Sequence, residues 1–167
     1  MSKFKIRTGI TLIELIISLG LLGVITLVVF SFFFSNKKTL DNVEIKSDLQ
    51  YEAKEVMNKI SKYAMEATKA DFRAGELTLV FTMVDDSEVV FTVKGGNSVE
   101  SNEKVIITGK ELMFGNGSPS DATICTSLKS LTLYGDKDKS INVNLELEKN
   151  GISYSVSDSF LFRNRGL

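Results

Sequence analysis

The sequence predicts an α+β fold, in which a long N-terminal helix packs on a C-terminal antiparallel β-sheet. Three observations support this prediction. Residues 10–34 are uncharged and mostly apolar except for Glu14. Apolar residues then recur at spacings of three and four as far as residue 67, and after Gly75 they alternate with polar residues. The first two patterns are typical of helices, and the last is typical of strands with one buried face.

The first predicted element is a membrane-spanning helix over 10–34. A helix of 25 residues is roughly 37 Å long and crosses a hydrocarbon layer of about 30 Å. The stretch is longer than the core of a removable secretory signal, and no small-x-small cleavage motif follows it. Three basic residues lie on each side of it: Lys3, Lys5 and Arg7 before, and Lys37, Lys38 and Lys46 after. The positive-inside rule therefore leaves the orientation of the helix open.

The second predicted element is an amphipathic helix over 35–75. Neither proline nor glycine occurs between Ser35 and Ala74, and Gly75 is a typical helix stop. With the apolar stretch, this predicts a nearly continuous helix from Ile10 to Ala70. The residues expected on its apolar face are Leu49, Ala53, Val56, Ile60, Tyr63, Ala64 and Ala67.

The third predicted element is an antiparallel sheet over 76–167, whose apolar face the amphipathic helix would cover. Residues 77–84 and 88–94 flank the sequence Asp-Asp-Ser and predict a hairpin. Residues 104–109 and 111–114 predict a second short pair.

The rest of this sheet region contains one strong turn signal and two polar loops. Asn150-Gly151, between an alternating segment at 140–148 and the next at 152–156, is the strongest hairpin signal in the chain. Polar, glycine-rich loops are predicted at 94–103 and 115–123.

The composition contains few of the residues on which enzymes depend. The 167-residue chain has no histidine and a single cysteine, Cys125, which alternates with polar neighbours and is interpreted as a half-buried strand thiol. The carboxylates at 85–86 and 134–140 lack metal-ligand or acid–base spacing. We therefore expect no enzyme, no catalytic residue, no metal site and no cofactor. The net charge of −1 gives no direct nucleic-acid signal.

The junction before the apolar stretch carries a more specific pattern. Gly9 is followed by Ile10 and Thr11, and Glu14 is the fifth residue counted from Ile10. Taken alone, Glu14 is interpreted as an interfacial acid, because a charge at the bilayer centre costs about 2.5–3.5 kcal/mol. Together with the basic leader, the spanning stretch and the helix-then-sheet body, the pattern resembles the type IV pilin-like proteins, which carry a class III signal peptide.

This resemblance implies a type IV pilin fold and a defined maturation. The leader, 1–9, would be cut off between Gly9 and Ile10 by a prepilin peptidase, and Ile10 would be N-methylated. Glu14 and Thr11 would serve filament assembly, with the Glu14 carboxylate paired to an N-terminal ammonium of a neighbouring subunit or of its own chain. Such a pair would select the register of packing more than it adds stability.

The resemblance also implies a location and partners. The protein would cross the bacterial cytoplasmic (inner) membrane once, with its globular domain outside, and would then enter a cell-surface or periplasmic pilus-like filament, a fimbrium. Its partners would be the prepilin peptidase, other pilin or pseudopilin subunits, the membrane and the inner-membrane assembly platform.

Two segments are similar to a narrower group, the J-type minor pseudopilins and W-type minor pilins: residues 48–67 and 159–167. They imply a structural subunit of a type IV pilus, type II secretion or competence pilus machine, in a tip complex that primes assembly. The alternative is an adhesin-like minor pilin that binds a surface or ligand through loops 94–103 and 115–123. Phe160, Phe162 and Arg163 are candidates for a partner contact. For the two aromatics, however, the preferred interpretation is that they fill the core face of the last strand.

Overall fold

The structure is a computed structural model that describes residues 10–101, 104–115 and 122–162. Within these ranges it contains one α-helix, one turn of 3-10 helix at Ala74–Glu76 and ten strands in two antiparallel sheets. The predicted α+β class is therefore confirmed. Internal contacts divide the chain into two units, and the division falls between Val43 and Glu44.

Helix α1 runs from Leu12 to Glu66 without a break. In the first unit its apolar side chains are exposed. In the second unit it buries one face against the sheets, as the spacing of apolar residues predicts. The buried residues of this face are Leu49, Ala53, Val56, Met57, Ile60 and Ala64.

The end of α1 differs from the sequence-based prediction, which extended the helix to Gly75. Residues Ala67–Arg73 instead form strand β1, which pairs along its length with strand β2, Thr78–Met83. The hydroxyl of Thr68 donates a hydrogen bond to the Thr82 carbonyl. The buried residues of β1, Ala67 and Ala70, fit a helix face and a strand face equally well, so pairing with β2 decides the conformation.

The remaining strands follow in chain order: β3 (Glu88–Lys94), β4 (Asn97–Ser101), β5 (Lys104–Thr108), β6 (Glu111–Gly115), β7 (Ala122–Cys125), β8 (Leu128–Tyr134), β9 (Ser140–Lys149) and β10 (Ile152–Leu161). The first sheet has the order β1-β2-β3-β6-β7, and the second has the order β10-β9-β8-β5-β4. The chain thus passes from the first sheet to the second, returns, and passes to the second again. The sequence predicts a single sheet, so the second sheet is a correction.

Both hairpins with clear turn signals are confirmed. Strands β2 and β3 pair across the turn at 84–87, and β9 pairs with β10 over ten residue pairs. The turn of the second hairpin has positive φ at Asn150 (53°) and Gly151 (77°), the left-handed region that this residue pair favours. Part of the predicted loop at 94–103 is strand β4.

The predicted pairing of 104–109 with 111–114 is wrong. Strand β5 pairs with β4 and β8 in one sheet, while β6 pairs with β3 and β7 in the other. The chain changes sheet at Gly109, whose N–H donates to the Lys129 carbonyl. A Cβ at this position would overlap Val93 Cγ1, so the close passage requires a residue without a side chain.

The core lies in the second unit, where one cluster joins α1 to both sheets. Phe81 and Phe91 are fully buried and make a T-shaped contact, and Tyr63 of α1 packs on Phe91 and Phe114. Phe160 and Phe162 are 7% and 3% exposed, which confirms the prediction that they fill the core. Arg163 lies outside the described residues.

Candidate functional site

The candidate site lies at the start of α1. Because the helix begins at Leu12, Thr11 occupies the N-cap position and Glu14 the third helical position. The backbone N–H and the hydroxyl of Thr11 each donate to Glu14 Oε2, both at 2.9 Å. In return, the backbone N–H of Glu14 donates to Thr11 Oγ1 at 3.4 Å. This reciprocal arrangement is a capping box.

The capping box holds the carboxylate beside the N-terminus of the helix. A negative charge is favoured there because the unpaired N–H groups and the helix dipole make this end positive. An ionised carboxylate offers about four acceptor sites, and the bonds to Thr11 occupy only one of its two oxygens. Glu14 can therefore cap its own helix and still accept hydrogen bonds from an ammonium group.

Both residues are predicted site residues, whereas their contact with each other is new in the structure. The signal was present in the sequence, because threonine followed three residues later by glutamate, ahead of an apolar run, is the usual capping-box pattern. Ile10 precedes this box and is exposed. Gly9, the other half of the predicted cleavage site, lies outside the described residues, as does the rest of the predicted leader.

The surface that follows the capping box is apolar on every side of α1. Each large apolar side chain from Ile10 to Phe34 is at least 50% exposed. The hydroxyls of Ser18 and Thr26 donate to the carbonyls of Glu14 and Leu22, both at 2.7 Å, so these polar groups are satisfied within the helix. By length and composition, this helix can cross a membrane.

A second group of polar residues lies in the second unit, between α1 and the end of β7. The Cys125 thiol donates to Glu52 Oε2 at 3.5 Å, and the Thr126 hydroxyl donates to Glu52 Oε1 at 3.3 Å. Cys125 is a strand residue, as predicted, but at 2% exposed it is buried rather than half-buried. Burial, with a smaller contribution from the Glu52 carboxylate, raises the pKa of the thiol to about 12. It therefore stays protonated near neutral pH and connects helix to strand.

The other predicted binding regions are only partly described. Residues 97–101 of the first predicted loop form the edge strand β4, and 102–103 lie outside the described residues, as do 116–121 of the second loop. Among the described residues, no group of three or more Cys, Asp or Glu side chains is placed to hold a metal ion.

Comparison with known proteins yields no relative: no family model, no curated protein and no solved structure matches this chain.

Proposed function

We propose that this protein is a structural subunit of a type IV pilus-like filament, a minor pilin or pseudopilin of a pilus, type II secretion or competence machine. The observation that carries the proposal is the capping box of Thr11 and Glu14, placed directly after the Gly9–Ile10 junction and at the head of an exposed apolar helix. This arrangement places a carboxylate at the head of the exposed apolar surface.

In the proposed function, the apolar surface of the helix is covered first by lipid and later by neighbouring subunits. Soluble proteins rarely expose large continuous apolar surfaces, so residues 10–34 need a cover, and none of the described residues provides one. In the proposed function, lipid covers this surface while the protein crosses the inner membrane with its globular domain outside. Helices of neighbouring subunits replace the lipid when the protein enters a cell-surface or periplasmic filament, and a tip complex that primes assembly is the proposed place.

The capping box supports the proposed role of Glu14 in assembly. Cleavage by a prepilin peptidase would create an ammonium group at Ile10, within a few residues of the Glu14 carboxylate. Two charges in an apolar environment each carry a large desolvation cost, which their pairing offsets. A neighbouring subunit in the wrong register would leave both charges unpaired. After the peptidase has cut the leader, the pair would therefore select the register in which subunits pack at the assembly platform and in the filament.

The maturation step is tested by mass spectrometry of the protein purified from its native cell. The expected N-terminus is N-methylated Ile10. Gly9→Val should block cleavage, because a side chain next to the cut obstructs the peptidase. Gly20→Val is the matched control, since a Cβ at Gly20 comes within 4 Å of no described atom beyond its chain neighbours and the adjacent helix backbone. An intact leader in the wild-type protein, or a cleaved leader in Gly9→Val, would contradict the proposal.

The role of Glu14 is tested by two substitutions that separate its charge from its capping bond. Glutamine keeps a side-chain oxygen that can accept from Thr11, whereas alanine removes both the charge and the acceptor. If an ammonium pair drives assembly, Glu14→Gln and Glu14→Ala should both be inserted and processed yet be absent from filaments. Normal incorporation of Glu14→Gln would show that capping suffices and would refute the charge-pair role.

A further inference from the structure

The two sheets have four edge strands, and three of them are protected against further pairing. Strand β1 has a register shift after Ala67 and its backbone N–H at Ala70 donates to the Lys137 carbonyl of another loop. Strand β7 has four residues and lies opposite a register shift, and β4 has five residues and lies next to the 3-10 turn. Short length, irregular register and cover are the usual means by which proteins block sheet edges.

Within the described part of the chain, strand β10 has none of these protections. It has ten residues, pairs with β9 without a register shift, and its only charged residue is Asp158. Among the described residues, β9 is the only strand that pairs with it. It contains no proline, and at this length it presents a continuous row of backbone groups on its open side.

One hydrogen bond identifies the open groups of β10. The Ser159 N–H donates to Asp158 Oδ1 at 2.8 Å, so it points away from β9. In an antiparallel strand, alternate residues direct their N–H and C=O groups to the same side. The backbone groups of Ser153, Ser155 and Ser157 therefore face the open edge as well.

The side chains of β10 define what this edge would accept. Ile152, Tyr154 and Val156 pack on the core cluster but are only half-buried, so the core ends at this edge with apolar surface that the described residues leave uncovered. The side chains between them are exposed serines on the other face. Asp158 is exposed on the same face as Val156 and adds one negative charge.

We propose that the open edge of β10 is a docking site for an extended segment of a partner polypeptide. Only an extended chain supplies alternating donors and acceptors along the whole edge. Its apolar side chains cover Ile152, Tyr154 and Val156, its small polar side chains lie beside the serines, and a cationic side chain lies opposite Asp158. The site belongs to the globular part of the chain and does not depend on the filament function proposed above.

A peptide with the sequence of β9 can serve as a probe of the open edge, since β9 already pairs with β10 in a known register. Its alternating Ile141, Val143, Leu145 and Leu147 lie on the core face, and Val143 lies opposite Asp158. Two capped decapeptides are compared: the β9 sequence itself and the same sequence with Val143→Lys. A peptide of the same composition in scrambled order is the control.

The experiment measures binding of these peptides to the full-length chain in detergent, with hydrogen exchange read at single amides. We expect both β9 peptides to slow exchange at Ser153, Ser155 and Ser157, and the Val143→Lys peptide to bind roughly twofold to fivefold more tightly, as expected for one exposed charge pair. In Asp158→Asn, which changes an exposed side chain, this preference should vanish while the protection of β10 remains.

Two results would overturn the proposal. Absence of protection at these serine amides with peptide at about 1 mM would show that the edge accepts no strand at a measurable affinity. If these amides become more protected as the protein concentration rises, without any peptide, the edge would instead bind a second copy of this chain.

Discussion

The two units of the chain place apolar residues of one helix in opposite environments. In the first unit, the large apolar side chains of 10–34 are at least half exposed. In the second unit, α1 buries six residues against two sheets, and Leu49, Val56, Ile60 and Ala64 have no exposed surface. Apolar character alone therefore does not predict burial. The second unit has its own core, while the apolar side chains of the first unit have no cover among the described residues.

The largest expected effect tests the core of the second unit. Phe91→Ala removes a fully buried ring that contacts Tyr63, Phe81 and Phe114. We expect the free energy of unfolding to fall by about 3–5 kcal/mol. All four tyrosines of the chain lie in the second unit, so their near-ultraviolet circular dichroism reports this unit alone. Leu19→Ala, at an exposed position of the first unit, should leave the transition unchanged.

A charge placed within residues 10–34 tests whether this part of the first unit spans a membrane. Leu22 and Leu40 are 60% and 67% exposed and lie on the same helix, but only Leu22 lies within 10–34. Leu22→Arg should reduce membrane insertion by about 2.5–3.5 kcal/mol. Leu40→Arg should insert as the wild type does. An insertion assay based on the accessibility of the flanking segments measures both, and equal insertion of the two variants would contradict a spanning segment at 10–34.

The buried thiol gives the second unit a dependence on alkaline pH. The pKa of Cys125 is raised from 9.0 to about 12 in the folded chain. Above pH 9.0 the unfolded state releases the thiol proton while the folded state keeps it, so stability falls with rising pH. The expected loss approaches about 1.4 kcal/mol per pH unit.

Comparison with Cys125→Ala isolates this titration. The substitution costs packing at every pH, but the gap between variant and wild type should narrow between about pH 8 and about pH 10. Denaturant unfolding at both pH values measures it. A constant gap would mean that the thiol does not titrate differently in the two states.

The smallest expected effect concerns a surface pair of the second unit. Lys137 donates to Asp71 Oδ1 at 2.6 Å, and this hydrogen bond holds the pKa of Asp71 below 3.8. The lowered pKa stabilises the fold above pH 3.8, and this contribution is lost as the pH falls through the lowered value. Asp71→Asn should therefore cost about 0.2–1 kcal/mol at neutral pH and nothing in strong acid.

The control for this pair lies in the first unit. Asp41→Asn alters an exposed carboxylate on the helix surface and should leave the free energy of unfolding unchanged at neutral pH. Equal losses for the two variants would indicate a general charge effect rather than the contact with Lys137.

The elements that were predictable from the sequence depend on local signals. The turn at Asn150-Gly151 and the periodic face of α1 are local patterns, and both predictions are confirmed. The capping box of Thr11 and Glu14 is equally local and was predictable. The end of α1 was not, because Ala67 and Ala70 suit either conformation and only pairing with β2 selects the strand. The position of β10 at the edge of its sheet was not predictable either, because strand order depends on pairings between residues that are distant in the sequence.

The passage of the chain between sheets at Gly109 has a consequence for the timing of folding. The first sheet needs strands from Ala67 to Cys125, and the second needs strands from Asn97 to Leu161, so the two are interleaved along the chain. The first sheet needs the chain as far as Cys125, whereas the second cannot be completed until Leu161 is available. Pairings between distant residues form slowly. If the globular part is exported across a membrane, nearly all of it must emerge before the second sheet can form, and until then the unpaired strands remain exposed to chaperones and proteases.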